Sequence, residues 1–215
     1  MSRGETVSHP LFARLYARLG AKAEEKGQDV HRRELLSGLA GKVIEVGAGH
    51  GLNFRHYPET VTEVVAVEPE PHLRRLAEKA VETARVPVRV IDGVADAIPV
   101  GDEEFDAAVA CLMLCSVPDQ ARALAEFRRV LRPEGELRFY EHVQADTAAL
   151  ARAQRVGDRS GVWPLLAGGC HASRDTAQAI EAASFEIERC RGFSFRAEPV
   201  EFLAAPKILG VARRA

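Results

Sequence analysis

Val43 to Gly51 reads Val-Ile-Glu-Val-Gly-Ala-Gly-His-Gly, a short apolar run that meets glycines at alternate positions, Gly47, Gly49 and Gly51. A strand pattern running into three glycines calls for a tight turn and lets a bulky ligand approach the backbone. Apolar residues resume at Leu52 and Phe54, which predicts a helix starting behind the loop. The unpaired N–H groups of such a helix start suit an acidic or polar ligand. A loop of this kind belongs at the carboxyl end of the first parallel strand of an α/β fold.

The spacing narrows the ligand. A dinucleotide fingerprint places glycines at the first, third and sixth positions. Here the sixth position is Leu52, and the glycines alternate behind the acid Glu45. This Glu-x-Gly-x-Gly-x-Gly run resembles the first motif of class I S-adenosylmethionine-dependent methyltransferases. The resemblance implies a Rossmann-like sheet, mostly parallel, with one antiparallel strand at its C-terminal end and helices on both faces. It also implies that Gly47, Ala48, Gly49 and Gly51, with Asn53 beside them, lie against the methionine part of S-adenosylmethionine. Glu45 then helps to hold the amino group of that part. A glycine-rich turn that binds nothing is the alternative.

A second acid supports adenosine binding. Val64 to Val67 is a β-branched run too short for a helix, and it ends at Glu68-Pro69. A carboxylate at the tip of the second strand can accept both ribose hydroxyls. Further on, Gly93-Val94-Ala95-Asp96-Ala97-Ile98-Pro99 stands where many relatives have Gly-Asp-Ala-Glu-x-Leu-Pro. The usual adenine-binding aspartate is Val94 here, so the resemblance passes that role to the Ala95 backbone or to Asp96.

At 215 residues and 47% hydrophobic, the chain suffices for one well-buried domain, and no internal repeat or linker divides it. We expect a single domain over residues 1–215, with a helical lid over 1–40, a cofactor-binding half over 41–143 and a substrate-shaping half over 144–215. Its 29 basic and 31 acidic residues are scattered, which argues against a nucleic-acid face. No signal peptide and no apolar run of about 18 residues is present, so a cytoplasmic protein is expected. Cys111, Cys115, Cys170 and Cys190 lack zinc-type spacing, and the sequence predicts reduced thiols and no metal.

Periodicity places the remaining elements. Phe12, Leu15, Tyr16 and Leu19 form an apolar stripe in a helical segment from His9 to Leu39, interrupted at Gly20 and Gly27. Helices are expected over 71–84, after the cap Asp119, over 146–156 and from Ser173 to Ala183. Strands are expected over 88–92, 105–111, 137–140, 185–190 and 207–212. Arg132-Pro133-Glu134-Gly135 is expected to end a helix, and residues 157–169 to be irregular. The alternation predicts a parallel sheet closed by a C-terminal hairpin.

A narrower resemblance rests on several short runs. Arg33-Glu34-Leu35, Leu114-Cys115-Ser116-Val117, Arg129-Val130-Leu131-Arg132-Pro133, Glu141-His142-Val143, Gly169-Cys170 and Ala183-Ser184-Phe185 occur in this order. Together they look like the methyltransferase-like family whose animal members methylate small alkyl thiols. The similarity covers about residues 31–213 and lacks the apolar anchor of those proteins. It implies a small thiol acceptor.

The residues themselves leave the acceptor open. A thiol needs little help, because thiolate is a strong nucleophile present near neutral pH. A phenol or hydroxyl needs a base within hydrogen-bond reach. His142, Glu141 and His171 are the candidates at the expected cleft edge, the two histidines foremost as catalytic residues, with Tyr16 and Asp175 behind them. Cys111, Leu112 and Cys115 are read as packing against the cofactor, His50 and His56 as bordering it, and Trp163 and Phe193 as apolar walls. An O-, N- or C-methyltransferase of a small metabolite or quinone remains the enzymatic alternative, and a non-catalytic S-adenosylmethionine-binding module the other.

Overall fold

Strands β1 (Gly41–Val46), β2 (Val61–Val67), β3 (Val88–Ile91), β4 (Phe105–Cys111), β5 (Leu131–His142), β6 (Phe185–Ser194) and β7 (Pro206–Arg214) build one sheet. Their order is β3-β2-β1-β4-β5-β7-β6. The first five pair in parallel. β7 runs antiparallel to both its neighbours, so it alone is reversed, as the closing hairpin requires. The computed structural model describes residues 10–215, without the side chains of residues 10–12, 199 and 200.

The central strands read as apolar runs because both faces are covered. One face, with Ile44, Val46, Val65, Val67, Ala108 and Ala110, packs on Leu124 and Phe127 of α4 (Gln120–Val130) and Ile180 of α7 (Thr176–Ala182). The other, with Val43, Val64, Ala66, Ala107 and Val109, packs on Leu35 and Leu36 of α2 (Asp29–Leu36) and Ala77 of α3 (Pro71–Ala80). Phe127 is fully buried, and truncating such a side chain to alanine costs roughly 3–5 kcal/mol.

Local chemistry sets the helix ends. Asp119 accepts the Arg122 N–H and caps α4, as its sequence position implied. Glu70 does the same for α3 through the Leu73 N–H, with Pro71 in the first turn, where its missing donor is harmless.

Several expectations are corrected. The N-terminal helix α1 (Pro10–Ala23) runs through Gly20 without a break. Gly27, at φ 100°, makes the kink, inside a π-turn spanning Glu24–Gln28. The apolar stripe is not buried as a whole: Leu15 and Leu19 are exposed, while Tyr16 is half-buried and Ala13, outside the stripe, is buried. Small residues let the helix lie close, and a Cβ on Gly20 would come within 2.7 Å of the His50 ring. His9 and the Phe12 side chain lie outside the described residues.

Arg132 to Gly135 does not separate helix from strand. β5 starts directly at Leu131, opposite Phe105, and the register slips before Ala107 meets Glu136. Glu134, at φ 62°, absorbs the turn. The stretch expected to be irregular, 157–169, is mostly helical, holding the end of α5 (Ala148–Arg159) and α6 (Val162–Leu166). Pro164 sits in the first turn of α6, where no partner for its nitrogen is needed. Among the described residues no helix is long and apolar enough to cross a membrane.

Candidate active site

β1 is paired on both sides, so the chain leaves it only at its carboxyl end, where the glycines lie. Gly47, Gly49 and Gly51 have φ of 71°, 58° and 80°, a conformation L side chains resist. Their surroundings differ. A Cβ on Gly47 would lie 2.8 Å from Met113, and one on Gly51 2.7 Å from Ala80, so both are closed off by packing. One on Gly49 would meet only Tyr16, at 3.6 Å. Gly49, itself buried, is thus the glycine with room beside its backbone, while Gly47 is half-buried.

The helix expected behind the loop is a single 3-10 turn, Phe54–His56. Pro58 holds Tyr57 extended and stops it. The Gly51 and Phe54 N–H groups are spent on Ala48 and Gly51 carbonyls. No helix dipole serves this site, and ligand donors must come from the loop.

Glu68 stands at the tip of β2, where the sequence placed it. One oxygen accepts the Gly49 N–H at 2.7 Å and the other the Glu70 N–H at 2.9 Å. Burial pushes its carboxyl up to about 7 despite these two bonds. Pro69 follows it, half-buried, its carbonyl taken by Arg74.

Glu45 and Asn53 turn inward. Glu45 accepts from Asn53 Nδ2 and from the Tyr57 hydroxyl, both at 2.8 Å. Burial raises its carboxyl to about 7. The Asn53 carbonyl accepts from Arg32, and Arg32 also reaches Glu24 and the Cys111 sulfur. Glu45, Asn53 and Cys111, all expected at the cofactor, brace the loop from below and are all buried. The signal missed was Arg32, a cation on the buried face of α2.

The loop after β4 is held from two sides. Glu141 accepts the N–H groups of Met113, Leu114 and Cys115 at 3.0, 2.9 and 3.1 Å. Arg174 donates to the carbonyls of Leu114 and Val117. Glu141, named as a base, is therefore an anchor, fully buried, with burial raising its carboxyl to about 6. Leu112 opens this loop at φ 57°, giving its N–H to Tyr140. Asp175, another base candidate, instead caps α7.

His142, at the end of β5, places Nδ1 3.3 Å from the Cys115 sulfur and 3.5 Å from that of Cys170. Cys115 thus packs against Cys170 and His142, and no zinc-type spacing announced this group. Nearby Cys170 and burial push the Cys115 thiol up, while Cys115 and His142 favour the Cys170 thiolate. His171 gives its backbone N–H to the Cys115 carbonyl and is half-buried. His50 stands edge-on to Tyr16, ring centroids 6.0 Å apart, and burial lowers it to about 4, so it is neutral.

Asp96 and Ala95 lie on the turn after β3. Ala95 packs on the core, and the Asp96 carboxylate pairs with Arg122 at 3.8 Å. Phe193 joins an aromatic group with His31 and Tyr140. A surface hollow of about 770 Å³, lined by Gln120, Arg128, Ala182 and Arg214, contains none of these site residues.

Comparison with known proteins accords with this geometry. A methyltransferase-domain family model matches residues 44–139, from β1 through most of β5. The human thiol S-methyltransferase TMT1B is 34% identical over 211 residues, covering 94% of this chain and 84% of that protein. The chain belongs to this family of S-adenosylmethionine-dependent methyltransferases. Human thiol S-methyltransferase TMT1A is 36% identical over 166 residues, 72% of this chain and 67% of its own. A solved methyltransferase structure from Bacillus halodurans shares the fold at TM-score 0.71 and 19% identity, over 87% of this chain and 99% of that one. The methyltransferase uses S-adenosylmethionine as methyl donor, and the left-handed glycine loop, with room at Gly49 where a Cβ would meet only Tyr16, fits that cofactor.

Proposed function

We propose that this methyltransferase methylates the sulfur of a small thiol. Relatives that are thiol S-methyltransferases support it, and one structural observation carries it: two of the expected bases, Glu141 and His142, are already committed. Glu141 spends both oxygens on three backbone N–H groups, and His142 Nδ1 lies between two sulfurs. A hydroxyl acceptor would have to take its base from His171. A thiol supplies its own nucleophile once ionised.

In this reading the Gly47–Gly51 loop receives the methionine half of the cofactor. Glu68 takes the ribose by exchanging its bond to Gly49, while Pro69, Ala95, Asp96 and Leu112 border the adenosine. When bound, the cofactor supplies a methyl group already activated on a sulfonium. The chain's own task is alignment and exclusion of water. Tyr16, against Gly49, makes α1 part of a lid over a single domain, and burial keeps its phenol protonated.

The test is methyl transfer from labelled cofactor to a matched alkyl thiol and phenol, from about pH 6 to 10. The thiol rate is expected to follow the thiolate fraction, and His171→Ala to cost little above the thiol's pKa. Turnover of the phenol alone, lost in His171→Ala, would leave a base-assisted O-methyltransferase instead.

A further inference from the structure

Cys115, His142 and Cys170 come from three separate passes of the chain through the carboxyl edge: the loop after β4, the end of β5 and the turn after α6. Their ligand atoms all lie within 4.8 Å of one another. Around a tetrahedral zinc, bonds of about 2.3 Å to sulfur and 2.0 Å to nitrogen set ligand atoms roughly 3.5–3.8 Å apart. The two sulfur–nitrogen distances here are 3.3 and 3.5 Å. The two sulfur–nitrogen pairs thus stand within a few tenths of an ångström of zinc geometry, and the two sulfurs, within 4.8 Å of each other, need to close by no more than about 1 Å. The donors are two thiols and an imidazole, the set that suits zinc.

The group is rigidly supported. Glu141 and Arg174 fix the loop carrying Cys115, and the His171 N–H holds the Cys115 carbonyl at 2.8 Å. Cys170 is fixed by its N–H to Ala167, with Gly169 bonded to Pro164 just before it. Lys207, opposite His142 in the β5–β7 register, is buried and donates to the Phe195 and Ala204 carbonyls. Two thiolates neutralise a divalent ion, and a third thiolate would leave one negative charge for Lys207 to offset.

We propose that Cys115, His142 and Cys170 bind a zinc ion that keeps its fourth position for the acceptor thiol. Three protein ligands with one open place is the pattern of catalytic rather than structural zinc. A thiol entering that place releases its proton to solvent and remains as thiolate, because zinc coordination deprotonates it. Its sulfur then forms the new bond to the methyl carbon as the carbon–sulfonium bond breaks. The thioether and S-adenosylhomocysteine leave, and no oxidant or reductant takes part. The site lies close to the cofactor loop: Met113, two residues before Cys115, packs on Gly47.

This rests on the thiol reading, so the test separates the two. Reduced, chelator-stripped protein is titrated anaerobically with cobalt(II). One equivalent should give the intense absorption of a tetrahedral cobalt–thiolate centre, displaced by zinc and shifted by an added alkyl thiol. Cys115→Ser and Cys170→Ser should each weaken binding at least about 100-fold, whereas Cys190→Ser, at an exposed cysteine, should not. Should the buried variants fail to fold, zinc must protect Cys115 and Cys170 of the parent from alkylation while Cys190 reacts. An octahedral spectrum, a spectrum indifferent to thiol, absence of protection, or a Cys115–Cys170 disulfide in the active enzyme would each overturn the zinc site. Thiol methylation by metal-free protein would overturn it while leaving the thiol reading intact. A zinc site with all the attributes above but turnover only of phenols would sink the thiol reading instead.

Discussion

The backbone N–H of Gly49 donates to the Glu68 carboxylate at 2.7 Å, joining the tips of β1 and β2 across the cofactor loop. A single acid therefore shapes the glycine loop and stands where the ribose is expected. Losing it removes a charge-assisted acceptor from both. Glu68→Ala should weaken S-adenosylmethionine binding by about 1–3 kcal/mol, measured by calorimetry, with little change in the acceptor's KM. An unchanged cofactor dissociation constant would move the ribose partner elsewhere.

The three glycines should separate by what surrounds them. Gly49→Ala meets only Tyr16, at 3.6 Å, so the free protein should lose just the strain of a left-handed backbone, roughly 1–2 kcal/mol. Its cofactor affinity should fall on the order of tenfold or more, about 1.4 kcal/mol per decade. Gly51→Ala collides with Ala80 and Phe54 and should add a further 1–3 kcal/mol or so of overpacking. Thermal unfolding and cofactor titration of both variants check the contrast. Equal effects on stability would contradict the distinction between open and packed glycines.

What the sequence showed, and what it hid, follows from how local each signal was. The strand from Phe105 to Cys111 and the cap at Asp119 are written in neighbouring residues, and both stand where the pattern put them. The helix behind Gly51 failed because Pro58 stops the chain after one turn, an effect within a few residues that the apolar spacing outweighed. The stripe on α1 misled because its close contact with His50 is made by Gly20, not by leucines. Arg32 and its acceptors Glu24, Asn53 and Cys111 are adjacent only once α2 packs against the loop. The same holds for Cys115, His142 and Cys170, which no spacing rule could join.

Arg32 and Glu24 form a buried ion pair at 2.8 Å beneath the glycine loop. Burial would raise the Glu24 carboxyl, but His56 and Arg32 together hold it down at about 2. Arg55 also reaches Glu24, at 2.9 Å, so Arg32→Met leaves the carboxylate partly paired and should cost about 1–3 kcal/mol. Adding Glu24→Gln should recover part of that loss, because the carboxylate that Arg32 helped to compensate is then gone. Denaturant unfolding of the two single variants and the double variant measures the coupling. Simple additivity would deny the pair its role.

Glu45 makes a pH-dependent prediction whose sign is fixed by its burial. Its carboxyl is raised from the usual 4.5 to about 7, first by burial, against hydrogen bonds from Tyr57 and Asn53. The folded state therefore holds this proton more tightly than the unfolded chain. Its contribution is fully present below about pH 4.5 and is lost as pH rises through 7. The substitution Glu45→Gln keeps the geometry, since the amide carbonyl can accept from Asn53 and the amide nitrogen can donate to the Tyr57 oxygen. The variant should therefore gain on the parent as pH rises from 5 to 8, by about 2–3 kcal/mol. Groups common to both proteins, His50 among them, cancel in the difference. Unfolding free energies at several pH values give that slope directly, and a flat difference would mean that Glu45 is ionised at no cost. Cofactor affinity read on the same samples tests the other role: if the Glu45 charge reaches the methionine amino group, Glu45→Gln should lose about tenfold or more in binding.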